Sequence, residues 1–298
     1  MKRILVTGAA GLIGRTVLRH FTELDVPVTA LVLEDPGDLQ ASRVVVGDAG
    51  DRSVVTDALK DVDAVVHLAA IPSPKFGTAD RVFSGNTAAT FTVLDAAGER
   101  GIRRMVIASS INAVGLKFGP HPVHPAYLPF DEHLPTEAAD PYSLSKYVDE
   151  ATAAAMARRH NATVVALRFP MVAGLGNGPG TDDRLPGFLK MIAADPEHGA
   201  PDLWMYLEVR DAARAVEAGL RVSAPGAHVV TVAAPLTSAP YPTEQLLDAF
   251  HPGVPRRAQF PGREVPADLT VARDLLGFTA EHVVEMPCVD LPTEISRH

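Results

Sequence analysis

The sequence predicts an α/β protein with a doubly wound parallel sheet and a small C-terminal lid. In the first half of the 298 residues, short β-branched runs alternate with helical patterns. These runs lack the polar alternation of a half-exposed strand, so we expect helices on both faces of the sheet. A glycine-rich segment joins the first apolar run to the first helical pattern, as in a βα unit.

The first half of the chain carries the clearest strand and helix patterns. Strands are predicted at 3–7, 27–33, 43–47, 63–69, 103–109 and 163–169, and helices near 12–24, 53–60, 80–100 and 142–160. The last of these helices has a strong start signal. Asp140 can cap its free amides, and Pro141 suits its first turn.

The second half has a different texture. Its predicted elements are Pro- and Gly-rich loops at 170–187 and 196–202, a helix at 209–222, a strand at 227–234, and short helices near 243–250 and 268–276. We expect the two short helices to form the lid over the carboxyl edge of the sheet.

Gly8, Gly11 and Gly14 stand directly after the first predicted strand, at a G-x-x-G-x-x-G spacing. Glycines let the backbone approach a pyrophosphate, and a helix N-terminus offers unpaired amides and the positive end of its dipole. The alternative is a tight turn without a ligand. The parallel-sheet pattern favours a dinucleotide and a Rossmann-type domain.

This assignment divides the chain into two parts. Residues 1–169 are predicted to form the dinucleotide-binding domain, to which 205–234 return. Residues 170–204 and 235–298 are predicted to form a small substrate-binding region.

Acidic residues near the second and third strands bear on the choice of dinucleotide. A ribose-binding carboxylate is expected near Val32 or Leu33, and Glu34 and Asp35 come slightly later. No arginine stands there to bind a 2′-phosphate, so we expect NAD, although NADP is not excluded. Asp48, after the third strand, can accept from an adenine amino group or cap the next turn.

Composition excludes several classes of partner. A net charge of -9 and the lack of a basic stripe argue against nucleic acid. No apolar run reaches about 18 residues, which argues against a membrane span. Cys288 is the only cysteine, so a clustered thiolate metal site is excluded and a reducing, cytoplasmic location is expected. No metal is expected at His121 and His124 either, because the surrounding "HPVHP" indicates a loop.

Five segments of the chain follow the order found in a known family. They are "TGAAGLIG" at 7–14, "GDAGD" at 47–51, "HLAA" at 67–70, "SSINAVG" at 109–115 and "YSLSK" at 142–146. With these segments the chain resembles the extended short-chain dehydrogenase/reductase family, also described as the NAD-dependent epimerase/dehydratase family. Its compact length and "ASSINAVG" look closest to the uronate dehydrogenase-like branch.

The resemblance assigns a role to each residue of the catalytic group. It makes Tyr142 the general acid/base and Lys146 the cation that favours its phenolate form and holds the nicotinamide ribose. Ser110 would hydrogen-bond the reacting oxygen. At a spacing of four, Tyr142 and Lys146 project from one helix face, which is consistent with these roles.

The expected cofactor contacts follow the same motifs. Besides Tyr142 and Lys146 they are Gly8, Ala10, Gly11, Leu12, Ile13, Gly14, Glu34, Asp48, Ala49, Leu68, Ala69, Ala70, Asn86, Ala108, Ser109, Pro170 and Val172.

The substrate side departs from the family pattern. Val114 replaces a tyrosine common in nucleotide-sugar enzymes. Ile111 and Asn112 follow Ser110 where the dehydratase branch needs an acidic pair, so dehydration is not expected. Expected substrate contacts are Ser73, Asn112, Met171 and Arg184. Met171 replaces a small polar residue. Arg184 would bind an anionic group or simply pair with a neighbouring aspartate.

The chain is thus expected to be an NAD(P)-dependent oxidoreductase acting on a hydroxyl or ketone of a sugar or sugar acid derivative. Alternatives are an NAD-dependent sugar epimerase with transient oxidation and a cofactor-sensing regulator without turnover. Family members commonly dimerise through helices equivalent to the one carrying "ATAAAMA" at 151–157, so a homodimer is expected.

Overall fold

The computed structural model describes residues 1–176 and 181–292, and a parallel sheet forms its centre. The strands are β1 Ile4–Thr7, β2 Val28–Val32, β3 Arg43–Val46, β4 Ala64–His67, β5 Arg104–Ser110, β6 Thr163–Phe169, β7 Met171–Ala173, β8 Tyr206–Glu208 and β9 Gly226–Thr231. Seven strands join in the order β3-β2-β1-β4-β5-β6-β9, all parallel, and β7 pairs with β8 in a separate parallel sheet. The predicted doubly wound α/β fold is confirmed.

The described α-helices are α1 Leu12–Glu23, α2 Arg52–Ala58, α3 Ala79–Glu99, α4 Pro141–His160, α5 Arg184–Ala194, α6 Val209–Arg221, α7 Thr243–Phe250 and α8 Thr270–Leu276. Helices α1 and α6 cover one face of the seven-stranded sheet, and α2, α3 and α4 cover the other. In the ranges that the structure describes, no helix is both long and apolar enough to cross a membrane.

Alternate residues of the strands supply two apolar layers. Ile4 and Val6 of β1 face the layer of α1 and α6, whereas Leu5 faces the layer of α2, α3 and α4. All three are fully buried. This burial on both faces explains why the strands read as continuous apolar runs.

Helix α8 differs from the lid that its sequence predicts. Ala272 and the following Phe278 are 2% and 4% exposed and belong to the core of the α1/α6 layer. Val271 and Leu275 pack against the same core, so the apolar face of α8 covers α6 instead of the carboxyl edge of the sheet. The lid assignment is therefore wrong for this helix.

Helix α5 begins inside the segment predicted as a loop. Pro186 lies in its first turn, where the missing N–H breaks no helical hydrogen bond. The glycines and prolines of this segment are typical of a loop, so the sequence pattern does not predict the helix.

The two layers on the sheet together form the first core, and a second core is built at the carboxyl edge of the sheet. Its centre is Trp204, which is fully buried and donates from Nε1 to the Pro196 carbonyl at 2.7 Å. Segments that leave the ends of β5, β6 and β9 pack around it, together with α7. The insertion at 116–135 joins this core, since Phe130 N donates to the Pro266 carbonyl at 2.8 Å.

Candidate active site

A cleft of about 1220 Å³ crosses the carboxyl edge of the sheet. It includes the switch point between β1 and β4, where the strand order reverses, which is the usual ligand site of such sheets. Every predicted cofactor-binding residue lines the cleft, together with Ser110, Tyr142 and Lys146. A smaller cavity of about 750 Å³ lies beside α7 and contains none of the predicted site residues.

The glycine loop forms one end of this cleft. Gly8 has a φ of +65, and a Cβ on Gly14 would come within 2.3 Å of the Gly8 carbonyl oxygen. Gly11 caps α1 without any side-chain hydrogen bond, so the first amides of the helix stay available to a ligand. These features fit the pyrophosphate of a dinucleotide.

The adenosine end of the cleft is acidic. Glu34 and Asp35 line it beyond the end of β2. Asp48 lines it as well, but its Oδ1 also accepts from Gly50 N at 2.8 Å, so the side chain caps its own turn. Arg15, which belongs to none of the sequence motifs, also lines the cleft and pairs with Asp38 at 2.9 Å.

The catalytic group predicted from the sequence is buried at the other end. Ser110, Tyr142 and Lys146 are 5%, 8% and 4% exposed. Lys146 Nζ donates to the Ala108 carbonyl at 2.9 Å and lies 6.0 Å from the centre of the Tyr142 ring. Asp140 Oδ1 accepts from the amides of Tyr142 and Ser143 at 3.0 and 2.9 Å, which confirms the predicted helix cap.

Asn86 on α3 holds the neighbouring loop. Its Oδ1 accepts from Ile71 N at 2.7 Å, and its Nδ2 donates to Ser145 Oγ at 3.0 Å. The loop after β4 is thereby fixed to α4, one turn from Tyr142.

Two buried ionisable groups lie near Lys146. Burial, and secondarily the Lys146 charge, lowers the pKa of His67 to about 3, so this imidazole is neutral near pH 7. Burial raises the pKa of Asp149, while the Lys146 ammonium acts in the opposite direction. Asp149 Oδ2 lies 3.3 Å from Lys146 Nζ.

An ion pair that sequence reasoning missed supports the same region. Arg168 donates from Nε and Nη2 to the two carboxylate oxygens of Glu150, each at 2.9 Å. Ser109 Oγ donates to Glu150 Oε1 at 2.6 Å. The pair ties α4 to β5 and β6. Its one sequence signal is that Glu150 follows Lys146 at helical spacing, and nothing local indicates Arg168.

The predicted substrate contacts do not come together. Arg184 lines the cleft and pairs with Asp182 at 2.5 Å. Among the described residues the cleft lining does not include the other three. Ser73 Oγ accepts from Lys75 N, and Asn112 Nδ2 donates to Ser110 Oγ at 3.4 Å. Met171 packs in a small core with Leu185.

A glycine-rich loop after the first strand and a buried Ser–Tyr–Lys group thus share one cleft of a doubly wound α/β fold. The model of the NAD dependent epimerase/dehydratase family matches residues 4–233, and the chain belongs to this family. The family's cofactor is NAD, and its fold is the one expected for the extended short-chain dehydrogenase/reductase type.

Among curated relatives, a UDP-glucose 4-epimerase of Azospirillum brasilense is 31% identical over 58% of this chain and 49% of its own length. The chain thus spans about half of that relative. A uronate dehydrogenase of Pseudomonas putida is 25% identical over 56% of the chain and 60% of its own length. A 3-diazoavenalumate denitrifying reductase of Streptomyces is 30% identical over 94% and 89%, respectively.

The fold is also similar to that of solved structures. MoeE5 in complex with UDP-glucuronic acid and NAD is 25% identical, covers 94% of each chain and has a TM-score of 0.68.

Proposed function

We propose that the protein is an NAD(P)-dependent oxidoreductase that acts on a hydroxyl or ketone of a sugar or sugar-derived small molecule. One observation carries this proposal: Ser110, Tyr142 and Lys146 line the same cleft as the glycine loop. A phosphate cradle alone would serve binding, whereas this buried trio adds a proton-transfer group beside the place where a nicotinamide would lie.

Each residue has a distinct part in the proposed reaction. Tyr142 takes the proton of the substrate hydroxyl during oxidation and returns it to the carbonyl oxygen in the reverse direction. Ser110 donates to the same oxygen, and Lys146 would hold the nicotinamide ribose of the bound cofactor. NAD, when bound, supplies the acceptor for the hydride.

The substrate region is proposed to be the one predicted from the sequence, 170–204 and 235–298, with the insertion at 116–135. Phe118 of the insertion packs edge-on against Tyr142, with ring centres 5.8 Å apart. Lys117 beside it pairs with the buried Asp202. The second core therefore reaches the catalytic tyrosine, which supports its assignment to the substrate.

The test is purified protein with NAD or NADP and a panel of uronates, aldonates and nucleotide sugars. Reduced cofactor is followed by its absorbance. Tyr142→Phe should lower turnover at least about 100-fold, because it removes the proton-transfer group but keeps the ring. Turnover that survives in Tyr142→Phe contradicts the mechanism.

Epimerisation is the second candidate, favoured by the epimerase relatives. An epimerase returns the hydride to the other face of its own keto intermediate, so it purifies with bound NAD and shows no net reduction. Val114, in place of the family tyrosine, speaks against it.

The 3-diazoavenalumate denitrifying reductase is similar over nearly the full length of the chain, so it suggests a second class of substrate. That match extends through the second core, whereas the sugar enzymes match little more than half of the chain. The panel therefore includes 3-diazoavenalumate with NADH and NADPH. Reduction of this compound, with none of the sugars turned over, would move the proposal away from sugars.

A further inference from the structure

Asp149 is a buried carboxylate that the proposed chemistry does not use. Its side chain is 1% exposed and lies on α4, three residues after Lys146. At this helical spacing the two side chains share one face. The Nζ of Lys146 lies 3.3 Å from Oδ2 of Asp149.

We propose that Asp149 is a positioning residue that holds the Lys146 ammonium in place and directed toward the cleft. The inference rests on the proposed function in one respect, namely that Lys146 contacts the bound cofactor. The position of Lys146 then depends on Asp149, a residue outside the group of Ser110, Tyr142 and Lys146.

The surroundings of Lys146 support this role. In the part of the chain that the structure describes, Nζ has two acceptors, the Ala108 carbonyl of β5 at 2.9 Å and Asp149 Oδ2. The carbonyl carries no net charge, so Asp149 supplies the countercharge. A buried ammonium without a countercharge loses its proton readily or moves toward solvent.

Asp149 in turn depends on Lys146, because little else around its side chain balances the charge of the carboxylate. Its Oδ1 is buried and accepts no hydrogen bond from the described residues. The Lys146 ammonium, and after it the Thr90 hydroxyl of α3, lower the pKa of Asp149 against the effect of burial, whereas Glu150 raises it.

Thr90 also contacts His67 of β4, whose Nε2 lies 3.2 Å from Thr90 Oγ1. This imidazole is neutral near pH 7 and cannot replace Lys146 as a counterion. Glu150 is occupied by Arg168. The charge of Asp149 is therefore balanced by Lys146 among the groups that face it.

The test measures binding of NADH by its fluorescence and needs no turnover. Asp149→Asn should weaken NADH binding about tenfold, the size of one lost charge-assisted contact. Lys146→Met should weaken binding as well. In the Lys146→Met background, Asp149→Asn should have no additional effect, because the carboxylate acts through the ammonium.

The pH dependence gives a second readout. Because the pKa of Asp149 is raised, wild-type NADH affinity should fall with acidification already above the usual carboxyl range. This step should be missing in Asp149→Asn. Asp149→Glu, which keeps the charge, should restore affinity in part.

Asp95→Asn is the matched control. Asp95 is also a buried acid, paired with Arg52 and His160 on the outer side of α3. Its loss should lower stability without changing NADH affinity. Equal NADH affinity in wild type and Asp149→Asn, or an undiminished effect of Asp149→Asn without Lys146, overturns the inference. Neither result bears on whether Tyr142 transfers a proton, which the turnover test decides separately.

Discussion

His67 illustrates at the level of one residue how burial, helped by the nearby Lys146 charge, sets a charge state. Its ring is 3% exposed, and Nδ1 lies 2.8 Å from Thr7 Oγ1. Two hydroxyls satisfy the neutral ring, and among the described residues no carboxylate contacts it to stabilise the imidazolium. The pKa of about 3 follows from this environment.

The depressed pKa predicts acid sensitivity of the fold. Below the unfolded value of 6.5 the unfolded chain binds a proton at His67 that the folded chain does not bind until about pH 3. The free energy of unfolding therefore falls as the pH falls through this window, by up to about 1.4 kcal/mol per pH unit. His67→Gln should lose this part of the slope.

Urea unfolding at several pH values between 7 and 4 measures the slope. His121→Gln, in an exposed loop, is the control and should keep the wild-type slope. Identical slopes in wild type and His67→Gln would show that burial does not hold this ring neutral.

Local patterns indicate the three residues of the proposed catalytic group but not their buried partners. Tyr142, Lys146 and the Asp140 cap belong to one helix start, where spacing and capping chemistry are readable from the sequence. Asp149 lies in the same helix, but an acid three residues after a lysine equally indicates an exposed ion pair. Its burial depends on the packing of α3 against α4, which no local pattern contains.

At the level of elements, the glycine loop makes the sharpest prediction. In Gly14→Ala the new Cβ would meet the Gly8 carbonyl oxygen at 2.3 Å and backbone atoms of Ala9 at 2.8 Å, so the loop has to shift. A shifted loop no longer directs the first amides of α1 at a pyrophosphate. NAD binding, measured by calorimetry, should weaken at least tenfold, about 1.4 kcal/mol.

Gly187→Ala serves as the control for this substitution. Gly187 lies in α5 with open space where its Cβ would be. NAD binding should be unchanged, and the helix should gain up to about 1 kcal/mol. If both variants bind NAD like the wild type, the loop is not the phosphate cradle.

The element boundaries show where sequence patterns stop being informative. Five of the first six strands, β1, β2, β4, β5 and β6, are buried along most of their length and therefore form continuous apolar runs that the sequence pattern predicts. The edge strand β3 is only partly buried, and its run of valines predicts it. The sequence predicts α8 as a helix but not its position. Its apolar residues indicate a buried face, and they do not indicate which element that face packs against. That surface, on α6, lies more than 40 residues earlier in the chain.

At the level of the whole molecule, the second core depended most on tertiary information. It joins the insertion at 116–135 to segments beyond residue 190, and contacts such as His124 Nδ1 to His251 Nδ1 at 2.9 Å span 127 positions. The composition of these segments indicated loops. Their burial arises from meeting one another around Trp204.

The outer face of α3 and α4 supports the homodimer that we propose. Phe91 of α3 and Leu144 and Tyr147 of α4 are 48%, 40% and 45% exposed. Leu144 and Tyr147 are three residues apart and share a helix face. Neighbouring apolar side chains of this size on an outer helical layer fit an interface with a second copy.

Replacing this apolar surface with charge should separate the protomers. Tyr147→Glu would bury an unpaired carboxylate in each half of a two-fold interface, so the variant should sediment as a monomer at concentrations where the wild type is a dimer. Met191→Glu is the matched control, because Met191 is 43% exposed on α5, away from α3 and α4, and should leave the dimer intact. A wild type whose sedimentation gives a monomer mass at every concentration would contradict the proposal. Dissociation by Met191→Glu, with Tyr147→Glu still dimeric, would instead place the interface on α5.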